Sequence, residues 1–148
     1  FPDAQFIYIH RHPEQVYMSA CHMANTAYWY MYLATPTDEQ IHEFILSQFV
    51  TLWREYAEAR ERVPNGNLVE VCYDELAQDP IGTVGRIYKA LSLDGFEEHM
   101  RGRVAATLDK PSVKGHKVNK LGKLPDDLRA VVARRWEEYC EAWGYDWK

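Results

Sequence analysis

Arg11 stands in the run Phe6-Ile7-Tyr8-Ile9-His10-Arg11-His12-Pro13, and Ser19 follows it by eight positions. A guanidinium grips an oxyanion such as phosphate with two parallel hydrogen bonds, and a serine hydroxyl can add another. The run is apolar up to Ile9, and Pro13 suits the first turn of a helix. Arg11 therefore falls where a strand hands over to a helix. Ligands of α/β proteins gather at the carboxyl ends of strands. A helix start adds partial positive charge and N–H groups without intrahelical partners. The same residues also fit a structural role, with Arg11 paired to a carboxylate and Ser19 packed.

A second feature that suits anions is a block of charge. Between Arg101 and Lys123 stand Arg101, Arg103, Lys110, Lys114, Lys117, Lys120 and Lys123, against Asp109 alone. Seven bases and one acid make +6; the other ten bases and 21 acids make −11, which together give the formal −5 of the chain. That net charge argues against a general nucleic-acid binder. The basic block fits either a small anion or a solvated loop.

Other chemistry-bearing residues read as structural. Cys21, Cys72 and Cys140 are far apart and show no Cys-x-x-Cys or Cys/His spacing, so no zinc site is expected and the thiols read as reduced, with a single disulfide as the alternative. His10 and His22 flank the Arg11 junction and read as structural or peripheral, whereas His116 in the basic block is a candidate phosphate contact. The cluster Tyr28-Trp29-Tyr30-Met31-Tyr32 cannot face one way on a helix, so some of its rings face solvent, a pocket or another chain.

The elements that must position these residues follow from periodicity and breakers. The 148 residues suit one domain, and no apolar run nears the ~18 residues of a membrane helix. Phe6–Ile9 reads as a buried strand, and a helix is predicted from Pro13 to about Ala34. Thr37 and Gln40 form a capping box for a long helix ending near Arg62. Leu68–Cys72 is a second strand, and Asp79-Pro80 opens a helix bearing Val84, Ile87, Tyr88 and Leu91. A helix from Phe96 to about Leu108 follows, then a loop through Pro111, Gly115 and Gly122. One last helix runs from Pro125-Asp126-Asp127 to Gly144, with Leu128, Val131, Val132, Trp136, Tyr139 and Cys140 as its apolar stripe. Strands joined by helical crossovers imply a parallel α/β arrangement. Two strands support such a core poorly, so the chain reads as the C-terminal part of a larger single domain with strands upstream of Phe1.

Arg11-x-Pro13 with Ser19 after an apolar strand, then Tyr73-Asp74-Glu75-Leu76 with Asp79-Pro80, then Val113-Lys114-Gly115-His116-Lys117, resemble in order the sulfotransferases that use 3′-phosphoadenosine 5′-phosphosulfate. The resemblance implies a P-loop-NTPase-like three-layer α/β/α fold with a parallel sheet, present as a C-terminal, helix-rich fragment. It implies that Arg11 and Ser19 hold the 3′-phosphate of the donor and that Tyr73 touches its adenine. Lys114 and Gly115 would belong to a basic lid over that phosphate. The implied reaction is sulfuryl transfer to a hydroxyl or amine acceptor without a metal. His12 stands where the family usually has Asn or Asp, and Val113 where some members have Arg. The Gly-rich phosphosulfate loop and the catalytic base have no counterpart in the chain and are expected upstream, so catalytic residues stay unassigned. The expected partners are the nucleotide donor and a small acceptor, with oligomerisation through the aromatic surface as a further expectation. The expected location is the cytoplasm, or the Golgi lumen given an upstream anchor. Two other readings compete. One is a non-catalytic interaction module working through the aromatic cluster. The other is a nucleotide kinase of related fold, which needs an upstream P-loop lysine and magnesium.

Overall fold

The structure, a computed structural model, describes residues 3–115 and 122–147. Two compact units share the chain, each assembled from two stretches. The first comprises Phe1–Arg11 and Arg62–Asn119, the second His12–Glu61 and Lys120–Lys148.

In the first unit, β1 (Phe6–His10) and β2 (Leu68–Cys72) pair in parallel, with Phe6 opposite Leu68 and His10 opposite Cys72. The strands anticipated from the β-branched and aromatic runs are therefore present, and they are parallel. Their burial differs from expectation. Val71 packs with Ile87 and Leu91 in a small core, but Phe6, Ile7 and Ile9 are 48–51% exposed. The covering helix packs on β2, so β1 keeps apolar surface uncovered among the described residues.

β2 runs directly into α3 (Tyr73–Gln78), and Asp79 then caps α4 (Pro80–Ala90) by accepting the Gly82 N–H at 2.9 Å. A Cβ on Gly82 would lie 2.0 Å from the Asp79 carboxylate, so glycine makes room for the cap. The Phe96 ring lies against Gly85 and Tyr88. A π turn (Phe96–Met100) leads into α5 (Arg101–Leu108), as the sequence predicts a helix there. The stretch expected to be loop instead holds a further helical turn, α6 (Pro111–Lys114), with Pro111 in its first turn.

The second unit is helical. α1 (Pro13–Thr26) stops eight residues short of the predicted end at Ala34, and Tyr28–Met31 forms a 3-10 turn. The Thr26 hydroxyl donates to the His22 carbonyl one turn back, a bond that competes with the helix ladder. The Tyr32 hydroxyl ties the turn back to the Ala24 carbonyl. α2 (Asp38–Arg60) opens with the predicted capping box: the Gln40 N–H donates to the Thr37 hydroxyl, and the Thr37 N–H to the Gln40 side chain. Along α2, Ile45 and Trp53 are buried, whereas Phe44 and Leu52 are exposed.

The single last helix of the sequence reading is two, α7 (Asp126–Arg135) and α8 (Glu137–Trp143), broken at Trp136. That residue leaves helical geometry (φ −112°, ψ 24°) while its indole is buried. The indole N–H donates to the Leu46 carbonyl at 3.1 Å, and the ring stacks on Phe49. Packing of one large side chain thus outweighs helix continuity. Tyr17, Ala24, Ile45, Leu46, Leu124, Val132 and Trp136 form the core of this unit.

Candidate functional site

The parallel register builds one corner of the site. His10 and Cys72 are the last paired residues, so Arg11 and Tyr73 emerge side by side at the carboxyl ends of the two strands. The Arg11 guanidinium sits 4.3 Å from the centroid of the Tyr73 ring, a cation–π geometry. Two residues 62 positions apart in the chain are thereby brought into contact.

The remaining picks are placed differently. Ser19 is exposed on the second turn of α1, in the other unit. Lys114 ends α6 and is ion-paired with Asp109 at 3.0 Å. The Gly115 N–H closes that turn on the Pro111 carbonyl at 2.8 Å, and a Cβ on Gly115 would lie 2.9 Å from the same oxygen. His116, Lys117 and Lys120, and with them most of the proposed lid, lie outside the described residues.

The start of α1 departs from expectation. His12 is its N-cap, and Nδ1 of the imidazole accepts the Glu14 N–H at 3.3 Å. The His12 carbonyl accepts from Gln15 at 3.0 Å and from Val16 at 3.1 Å, and Pro13 has no N–H to offer. The unpartnered donors anticipated at this helix end are therefore already engaged, and what remains for an anion is the field of the helix. Because Nδ1 accepts, the ring proton is on Nε2, which donates to the Asp146 carbonyl at 3.1 Å. The Glu14 carboxylate accepts the Leu124 N–H at 3.2 Å and approaches Arg129 at 4.0 Å.

Burial holds His10 below the ordinary histidine value, with Glu70 and Glu75 pulling the other way, so it does not add positive charge at neutral pH. His22 is exposed and contributes its carbonyl to Thr26. All three cysteines are free, and burial raises the thiols of Cys21 and Cys140, which makes them poor nucleophiles. Among the described residues no group of three His, Cys, Asp or Glu side chains is placed to hold a metal ion.

Sequence reasoning missed His42. The Tyr17 hydroxyl hydrogen-bonds its Nδ1, and Cys21 Sγ lies 3.8 Å from the same nitrogen. Tyr17 and Cys21 share a helix face through their four-residue spacing, which is the signal that was available. Beside them, Ala20, Met23, Tyr28, Tyr32, Ile41 and Phe44 line a largely apolar pocket of about 310 Å³.

A family model described as "Sulfotransferase family" matches residues 1–98, which include Arg11, Ser19, Tyr73 and Asp79-Pro80 but not Lys114-Gly115. Two curated relatives carry the name omega-hydroxy-beta-dihydromenaquinone-9 sulfotransferase, from Mycobacterium bovis and Mycobacterium tuberculosis. Each is 34% identical over 149 residues, covering 99% of this chain and 37% of the relative. The chain thus spans just over a third of the length of these relatives. No solved structure matches it.

Proposed function

The chain belongs to the sulfotransferase family, and from that premise we propose that it supplies the 3′-phosphate and adenine side of a site for 3′-phosphoadenosine 5′-phosphosulfate. The Arg11–Tyr73 contact carries this reading. The cation–π contact with Tyr73 holds the Arg11 side chain at the carboxyl ends of the strands, and arginine is the side chain that forks onto a phosphate. An aromatic ring such as that of Tyr73 suits a purine by stacking. The family resemblance alone adds Ser19 as a further hydroxyl toward the donor, and Lys114 and Gly115 as the start of a basic segment over its phosphate.

When bound, the donor supplies an activated sulfuryl group, which passes in line to the oxygen or nitrogen of the acceptor as the bond to the phosphate breaks. Arg11, Ser19, Tyr73, Lys114 and Gly115 act at the far end of the nucleotide. They bind and orient it, the main demand of a transfer governed by positioning. None of them takes the acceptor proton, and the base is not assigned to any residue here. The acceptor class we favour is an apolar molecule bearing a hydroxyl. The names of the relatives support this, and the pocket between α1, the 3-10 turn and α2 suits an apolar body. No metal is required.

The half-exposed Phe6, Ile7 and Ile9 support a sheet wider than two strands, as a three-layer domain of the P-loop-NTPase type would have. Among the described residues no helix is long and apolar enough to cross a membrane; a cytoplasmic location is proposed.

Calorimetric titration with the product 3′,5′-adenosine bisphosphate tests the reading. Arg11→Ala is expected to weaken binding by about tenfold to a hundredfold, the effect of losing hydrogen bonds to a charged group. Tyr73→Ala should weaken it less. An Arg11→Ala protein that binds like the parent overturns the assignment.

A second reading, an interaction module, is favoured by one observation: Trp29, Tyr30, Met31 and Leu33 are exposed together around the 3-10 turn. It gains if the parent protein ignores the bisphosphate and Trp29→Ala with Tyr30→Ala changes its sedimentation.

A further inference from the structure

We propose that the C-terminal tail, residues 144–147, acts through His12 as a positioning element for the 3′-phosphate; the proposal rests on the donor-site reading above. His12 is the residue next to Arg11, and it is held from four directions. Its Nδ1 takes the Glu14 N–H, its carbonyl takes two further N–H groups of α1, and its Nε2 donates to Asp146. Its ring meets Tyr145 and Trp147 edge-on, with centroids 5.4 and 5.5 Å away.

The tail is itself anchored. Gly144 adopts φ 65°, which reverses the chain after α8. The Tyr145 N–H then returns to the Cys140 carbonyl at 2.9 Å, and its ring stacks on Tyr139. The Trp147 indole N–H points to Cys140 Sγ at 3.3 Å, and the Arg129 guanidinium lies 5.8 Å from its ring. Each of these contacts falls within the second unit.

Capping alone does not explain histidine at this position. An Asn or Asp side chain reaches the N–H two residues on and caps well, but it stops short of the tail. The imidazole spans both: one nitrogen serves the helix, the other the Asp146 carbonyl. An imidazole fixed at both nitrogens and on its edges cannot swing. The backbone at His12, bonded directly to Arg11, is therefore set before any anion arrives, so less freedom remains to be lost there when the guanidinium closes on phosphate.

His12→Asn separates the two jobs, because it keeps the cap and cuts the link to the tail. Bisphosphate affinity is measured by calorimetry for the parent, His12→Asn, Trp147→Ala and the double variant, with circular dichroism confirming helix content. His12→Asn and Trp147→Ala are each expected to raise Kd about three- to fivefold, a loss comparable to one ordinary hydrogen bond. In the double variant the effects should not add, since both cut one connection. The Glu14 amide resonance, read without ligand, should move in Trp147→Ala. Unchanged Kd in either single variant, or additive losses, overturns the role of the tail. Arg11→Ala in the same series keeps the two ideas apart. No loss there overturns the donor site itself, whereas a loss there with His12→Asn unaffected overturns only the tail.

Discussion

Glu43 shows how far one exposed pair can move a carboxylate. Arg135 reaches both of its oxygens at 2.9–3.0 Å, and the Ser47 hydroxyl joins them. These contacts, the Arg135 hydrogen bonds first, hold Glu43 down to about 2 from its ordinary 4.5. A lowered carboxylate stabilises the fold above its unfolded value and loses that contribution as pH falls towards the folded one. Thermal melts between pH 5 and pH 2 should therefore fall more steeply in the parent than in Glu43→Gln, with the difference closing near pH 2. Superimposable slopes would contradict the pairing. At the same scale, residue type and an eight-residue spacing select Arg11 and Ser19 as candidates, and the family resemblance adds Tyr73. Their surroundings were not legible. The Arg11–Tyr73 contact depends on the register of two strands, and the His12–Asp146 bond joins residues 134 positions apart, so neither leaves a local signature.

The elements were most legible where capping chemistry marks them. Thr37 with Gln40, and Asp79 with Pro80, begin helices where the sequence places them. Gly82→Ala tests the second cap: the new methyl would collide with the Asp79 carboxylate. The expected loss is ~1 kcal/mol, as for a removed N-cap, seen as a lower denaturation midpoint at unchanged slope. Elements were least legible where tertiary packing overrides local preference. The end of α1 at Thr26 and the break at Trp136 both sit inside stretches that contain no proline or glycine. The buried indole, hydrogen-bonded to a helix 90 residues earlier, decides the second of these. Exposure of the apolar β1 residues was likewise hidden, because composition reports what a strand can bury rather than what covers it.

Across the whole molecule, each unit keeps its own apolar cluster, Val71–Ile87–Leu91 in one and the group around Val132 and Trp136 in the other. Trp136→Ala should cost about 3–5 kcal/mol through its cavity and the lost indole bond. Hydrogen exchange should register that cost first in the amides of α2 and α7, which the indole joins; protection unchanged there would contradict the packing. The path of the chain, crossing from one unit to the other three times, also has a consequence for how the protein is made. The ribosome delivers α1 and α2 long before Val132 and Trp136, which complete their core. At about 5–20 residues per second, the 90 residues between Leu46 and Trp136 take roughly 5–20 s to emerge. During that interval the nascent helical pair shows its apolar faces to solvent or to a holding chaperone, until Val132 and Trp136 arrive to cover them.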